Sequence, residues 1–129
     1  LEGLVADNLT NLAENALLDT LVGTAAFNPT TPIKLALVTS NGNDATEGTE
    51  VIGGGYSRQT ITFNAASGGS IGNNTTVTFG NMPTTTVVGI EFYDNANVRL
   101  AYGPLTASKA LTSGDTLQFA PSAITLTLG

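Results

Sequence analysis

The sequence predicts a mainly β protein, an antiparallel β-sandwich of seven to eight short strands with one amphipathic α-helix near its N-terminus. Three observations predict it. Apolar residues recur at spacings of three and four only between Leu9 and Leu21; beyond Phe27 they alternate with polar ones; and turn-forming clusters cut the alternating region into short runs. The 129 residues suit a single domain, 1–129, with the helix over about 8–22 and the sandwich over about 33–128.

The helix rests on Leu9, Leu12, Ala13, Ala16, Leu17 and Leu21, which fall on one stripe, with Asn11, Glu14, Asn15 and Asp19 on the polar side. Asp7 or Asn8 offers a short side-chain oxygen to an unpaired first-turn N–H, and Gly23 supplies the stop. The strands follow in order. Ile33, Leu35 and Leu37 alternate with Lys34 and Ala36; Ile61 and Phe63 with Thr60 and Thr62; Val77 and Phe79 flank Thr78. Val88, Ile90 and Phe92 alternate with Gly89 and Glu91, then Val98, Leu100 and Tyr102 with Arg99 and Ala101. Ile124, Leu126 and Leu128 close the chain against Thr125 and Thr127. Between them lie the turn clusters NGND at Asn41, ASGGS at Ala66, DNAN at Asp94 and SGD at Ser113, while Pro121 precedes the last strand.

Composition narrows the chemistry. Ten acids against four bases give a net charge of −6 with no basic patch, which repels phosphate backbones and excludes nucleic acid as an expected partner. Zero cysteines exclude disulfides and thiolate metal sites. No apolar run approaches the roughly 20 residues of a membrane span, and a charged fraction of 11% leaves the surface to Thr, Ser, Asn and Gly, so the chain reads as soluble.

The chain also has no histidine, which removes the common general base and the common neutral metal ligand together. Gly68-Gly69-Ser70-Ile71-Gly72 spells G-x-S-x-G, but a nucleophile elbow needs a following helix and a histidine, so a flexible turn is expected. Ser108 and Lys109 are adjacent and would point to opposite faces of a strand. Glu47 with Glu50, and Glu91 with Asp94, are carboxylate pairs of the kind that turns leave solvated. The oxygen-rich loop from Asn41 to Glu50 misses the EF-hand spacing. No enzyme, cofactor or metal site is therefore expected.

Gly53, Gly54 and Gly55 precede Tyr56-Ser57-Arg58-Gln59, with Arg58 where a dinucleotide fingerprint would place its last glycine. The glycines instead suggest a positive-φ bend or bulge that feeds a strand from Tyr56 to Phe63, with Tyr56, Arg58, Thr60 and Thr62 on one face. A mid-strand arginine is costly to bury alone, so Arg58 is expected to pair with Glu91 or with an acid of a neighbouring subunit.

In order, the stretches NLAENALLDTLVGT, LALVTS, GTEV, GGGYSRQTITF, VTF, GIEFYD, LAYGPLTASKALTSGDTLQF and ITLTLG resemble a family of small bacteriophage virion structural proteins, tail-fibre-like or capsid-decorating, with GGGYxRQ and SGDTLQF the most specific parts. One departure is the short GNMPTTTVV segment, where the family carries a longer stretch with a tryptophan. The resemblance implies a non-enzymatic structural role in the virion. Within it, a capsid decoration or cement protein on the shell exterior is the first expectation, since 129 residues with one short helix lack the repeats or heptads of a long fibre. A tail or tail-fibre component is the second, and a carbohydrate-binding module, which would want stacking aromatics that this Trp-free chain lacks, a distant third. The expected partners are the major capsid protein or other virion proteins and further copies of the chain, with a trimer among the closed arrangements. Leu9, Leu12, Leu17, Tyr56, Arg58 and Glu91 are the candidate interface residues.

Overall fold

The computed structural model describes residues 2–5 and 8–128. Its elements are β1 (Glu2–Val5), α1 (Asn11–Leu21), β2 (Lys34–Ser40), β3 (Thr49–Glu50), β4 (Gln59–Thr60), β5 (Ser70–Gly72), β6 (Val77–Phe79), β7 (Thr85–Tyr93), β8 (Arg99–Leu111), β9 (Leu117–Phe119) and β10 (Ile124–Thr127). The protein is mainly β, with one α-helix near the N-terminus, and its strands pair antiparallel except for β1, which runs parallel to β10. The main sheet has the order β3-β2-β7-β8, with β4 also on β2; β1-β10-β5 forms a second sheet and β6-β9 a ribbon.

The core follows the alternation. Leu35 and Leu37 of β2 lie beside Phe92 and Ile90 of β7, and Ala101 of β8 continues that face. Val77, Phe79, Leu117 and Phe119 of the ribbon, with Ile124 of β10, close over it. Phe79 stands edge-on to Phe119 at 6.3 Å and stacks on Tyr56 at 6.0 Å, while Phe63 tilts against Phe92 at 5.7 Å. Each such aromatic pair adds about 0.5–1.5 kcal/mol beyond the area it buries.

The sequence reading did not place β1, β3 or β9, and four further elements differ from it. The helix begins later, at Asn11, because Thr10 is its cap: the Thr10 hydroxyl accepts from Ala13 N at 3.2 Å and donates to Arg99 O at 3.0 Å, so one side chain caps the helix and ties it to β8. Asn8 therefore is not the cap, and Asp7 lies outside the described residues. The stretch from Tyr56 to Phe63 keeps only Gln59 and Thr60 in the ladder. β4 covers the start of β2 and β3 its end, and between them the Tyr56 hydroxyl accepts from Leu37 N at 3.0 Å, filling the gap with a side chain. The ASGGS turn is a two-residue hairpin loop, Gly68 and Gly69 both at positive φ, whose outgoing arm is β5. Finally β8 extends to Leu111 through an irregularity: Gly89 faces Pro104 but Val87 faces Lys109, so the extra residues Thr106, Ala107 and Ser108 bulge out while Leu105 stays in the core, next to a proline that has no N–H for the ladder.

Buried polar groups join the parts. Asn73 is fully buried; its amide donates to Thr75 O at 2.8 Å and Ala120 O at 3.0 Å, and its Oδ1 accepts from Ile124 N at 2.9 Å. It thereby joins the chain leaving β5 to the turn between β9 and β10. Asp94, also buried, accepts from Ala96 N and Val98 N, both at 2.9 Å, and from Thr30 N at 3.1 Å, which anchors the segment before β2 to the β7–β8 turn.

Candidate functional site

Two features stand out on this frame: a polar layer on the outer face of the main sheet, and the exposed side of α1. The polar layer arises because the sheet is buried on both faces. Ala36 and Val38 of β2, which face away from the core, are fully buried, since the loop between β2 and β3 folds back over them. Gly89 of β7 makes the close approach possible: a Cβ there would lie 1.9 Å from Asn41 Oδ1 and 2.8 Å from Gly103 O. Gly54, at φ 56°, does the same for the loop after β3, where a Cβ would stand 2.8 Å from Pro83 N.

At the centre of the layer is Glu91, 1% exposed. Its Oε2 accepts from Gly48 N at 2.8 Å and from Arg99 Nη1 at 3.2 Å, and its Oε1 accepts from the Tyr93 hydroxyl at 3.0 Å. Arg99 also donates to Asn43 O, and Tyr102 donates to Asp44 Oδ1. Beside it, Arg58 makes a bidentate pair with Glu50, Nε to Oε2 at 3.0 Å and Nη2 to Oε1 at 2.9 Å, donates to Asn97 Oδ1, and lays its guanidinium 3.7 Å from the Tyr93 ring centroid. Tyr56 donates to the same Glu50 carboxylate at 2.5 Å. The run Glu50, Arg58, Tyr93, Glu91, Arg99 is thus continuous.

The expected partner of Arg58 is therefore corrected: Arg58 pairs with Glu50, not Glu91, and Glu91 pairs with Arg99. Register explains this. Glu50 sits on β3 at the end of β2 where the Tyr56–Arg58 segment passes, whereas Glu91 lies one strand further in, next to Arg99 on β8. Arg99 appeared in the sequence only as the polar alternate of a strand; the signal that would have found it is the presence of two arginines opposite a strand glutamate, with an oxygen-rich loop long enough to cover all three.

Burial pushes the Glu50 carboxyl up, but the hydrogen bonds from Arg58 and Tyr56 and the Arg58 charge outweigh it and hold it below the ordinary value near 4.5. Burial likewise raises Asp94, and the backbone N–H groups of Val98, Thr30 and Ala96 more than reverse it, below 3.8. Burial and neighbouring carboxylates raise the Tyr56 and Tyr93 phenols, so both remain protonated donors. A carboxyl whose folded pKa is depressed contributes stability that is complete above its unfolded pKa and is lost as pH falls through the folded one. The urea midpoint is accordingly expected to hold between pH 7 and 5 and to drop below about pH 4.5. A Glu50→Gln/Asp94→Asn variant, measured over the same range, should drop less.

The other candidate groups are not brought together into a site. Glu47 accepts from Tyr93 at 3.3 Å, Ser70 Oγ bonds Thr127 Oγ1 at 3.1 Å in the hairpin, and Ser108 and Lys109 lie in the exposed part of β8. In the β2–β3 loop, Asn43 Oδ1 accepts from Ala45 N and Thr46 N at 3.0 and 2.8 Å. Among the described residues no buried side-chain nitrogen or oxygen lacks a partner. The layer's chemistry is that of a clamp holding a loop on a sheet.

The six candidate interface residues divide. Leu9 and Glu91 are buried within the chain, Tyr56 and Arg58 are half-buried in the clamp, and Leu12 and Leu17 are exposed on α1 at 51% and 39%. Leu18, Leu21 and Val22 extend that surface; only Ala13 of the helix is buried.

A family model described as Podophage GP4 fiber I protein gp80 matches residues 8–127. The chain belongs to this family. As a fiber I family member it is a phage virion structural protein, which agrees with the resemblance seen in the sequence at that level. The match begins just before α1 and runs to the end of β10, so the helix, the clamp and both sheets all fall within the fiber I family region. No curated protein matches the chain.

Proposed function

We propose that this chain is a non-enzymatic building block of the tail-fibre apparatus of a podophage-type particle, held there by contacts with other virion proteins. The observation that carries this reading is the fiber I family match over nearly the whole chain. It reverses the order of the two expectations, because a fibre family favours the tail over the capsid exterior. The geometry agrees with a mechanical part. Charged side chains of the outer sheet face are spent on one another and on loop backbone, so the polar layer stiffens the module.

Removing the chain from the particle tests this reading. Particles assembled without it are expected to keep wild-type resistance to heat and osmotic shock while losing adsorption to host cells. Unchanged adsorption with loss of heat resistance, restored by adding purified protein, would replace the fibre reading with a shell-cement one.

A further inference from the structure

We propose that Asn41-Gly42, at the start of the β2–β3 loop, is a latent deamidation site that the polar clamp keeps shut, so that opening of the loop is recorded as a covalent change. The inference concerns the chain's own chemistry and does not depend on the fibre reading.

The reaction needs only water as partner. Gly42 N gives its proton to solvent hydroxide and attacks Asn41 Cγ; the new C–N bond closes a succinimide ring as the Cγ–Nδ2 bond breaks, and the amide nitrogen leaves as ammonia with a proton from water. Water then opens the ring. Cleavage between Gly42 N and Cγ gives aspartate, and cleavage between Gly42 N and the Asn41 main-chain carbonyl gives isoaspartate; nothing is oxidised or reduced. A glycine in second place favours the attack, because no side chain bars the approach of its own nitrogen.

The chain supplies the reactants. Asn41 is exposed, so water reaches it and ammonia can leave, and among the described residues the Gly42 N–H donates to no acceptor. The fold withholds the geometry. Ring closure brings Asn41 Cγ to bonding distance of Gly42 N, which lifts the side chain off Gly89 and turns the peptide between residues 41 and 42. The seated loop leaves no room for either movement: a Cβ on Gly89 would lie 3.1 Å from Asn41 Cγ, and one on Gly42 would lie 2.5 Å from Thr46 O, 2.6 Å from Gly48 N and 2.8 Å from Glu91 Oε2. Four bonds hold the seat: Gly48 N to Glu91, Arg99 to Asn43 O, Tyr102 to Asp44, and Asn11 N to Asp44 O at 3.2 Å. The reactive pair is therefore released only when the loop opens as a unit. Isoaspartate adds a methylene to the backbone of a loop packed this closely, so a reacted loop cannot re-seat, and the change is a one-way release of the clamp.

Storage of the purified chain in mildly alkaline buffer tests the proposal. Trypsin then frees the peptide from Leu35 to Arg58, in which mass spectrometry reads aspartate and isoaspartate at position 41. The native wild type is expected to react at least about 10-fold more slowly than the same chain unfolded in guanidinium. Tyr102→Phe, which keeps the ring and removes the bond to Asp44, should react about 3–10-fold faster than the native wild type. Ser70→Ala, which removes the bond to Thr127 between β5 and β10, is the control and should not. Chains bearing isoaspartate should have lost hydrogen-exchange protection at Gly48 N–H while β7 keeps its own. A native wild type that reacts as fast as the unfolded chain, a Tyr102→Phe rate equal to that of the wild type, or reacted chains with Gly48 still protected would overturn the proposal.

Discussion

Glu91→Ala is expected to cost about 3–5 kcal/mol, a large part of the whole stability of a domain this size, because it strands Arg99 beneath the β2–β3 loop. Four consequences combine in one substitution. Arg99, whose side chain is 10% exposed, loses its carboxylate; Gly48 N and the Tyr93 hydroxyl lose an acceptor; and the loop loses the group that pins it to β7. Arg58→Ala is the informative contrast. Its pair with Glu50 is about a quarter to a third exposed on both sides, so even with the Tyr93 face contact its loss should cost only about 1–2 kcal/mol. Urea titrations with the slope held in common give both numbers. Adding Arg99→Met to Glu91→Ala should recover part of the loss, since the stranded charge is then gone; a double variant less stable than Glu91→Ala alone would show that Arg99 is not the liability.

The second large effect belongs to Asn73. Asn73→Ala removes three hydrogen bonds at about 0.5–1.5 kcal/mol each and leaves the buried Ile124 N without its acceptor, while Ala120 O keeps its bond from Ala123 N, and should destabilise by about 2–4 kcal/mol. Asn73→Asp separates shape from hydrogen bonding. The carboxylate still accepts from Ile124 N but faces the oxygens of Thr75 and Ala120, so its folded pKa lies above the unfolded value near 3.9. A group with a raised folded pKa is penalised increasingly as pH rises from its unfolded to its folded pKa, and not below. At neutral pH the aspartate variant should be less stable than the alanine one; below about pH 4, where the acid can donate to a carbonyl, the order should invert. An unchanged order throughout would mean that the site tolerates a charge and that the carbonyls relax to other donors.

β2, β6 and β7 were legible because their period-two alternation is a direct image of which face meets the core: Leu35, Leu37, Ile90, Phe92, Val77 and Phe79 all lie where the pattern puts them. In β8, by contrast, the pattern set Val98, Leu100 and Tyr102 inward and the core takes Ala101 and Leu105, with Tyr102 turned to Asp44 in the polar layer. The helix was legible in kind but not at its start, since Asn8 and Thr10 are both good caps and only the neighbouring carbonyls of β8 decide between them. β1, β3, β5 and β9 were not legible. β5 lies within a turn-rich stretch whose glycines describe the hairpin loop and hide its arm, and β1 pairs parallel with a strand more than a hundred residues away, a partnership that no local pattern encodes.

The polar layer shows the same limit more sharply. Alternation marks Ala36, Val38, Gly89 and Glu91 as the outer face of a half-buried sheet, and the error was to equate outer with wet. Whether a loop folds back over that face depends on the match between Gly89 and Asn41, two residues 48 positions apart, of which only their close approach in three dimensions gives notice. The expectation that Arg58 needs an acid was sound; which acid it meets is a matter of register. Leu12 and Leu17 behave oppositely to Leu9 although all three share the helical stripe, because the sheet offers the helix room for one small residue, Ala13, and little more.

The central claim, that this module belongs to the fibre apparatus, is tested most directly by a reconstruction of the intact particle at a resolution that traces its β-strands. The expected result is density for the main sheet, the β6–β9 ribbon and α1 on the tail, in a small number of copies set by the tail's symmetry. The same density repeated in hundreds of copies across the shell would contradict it.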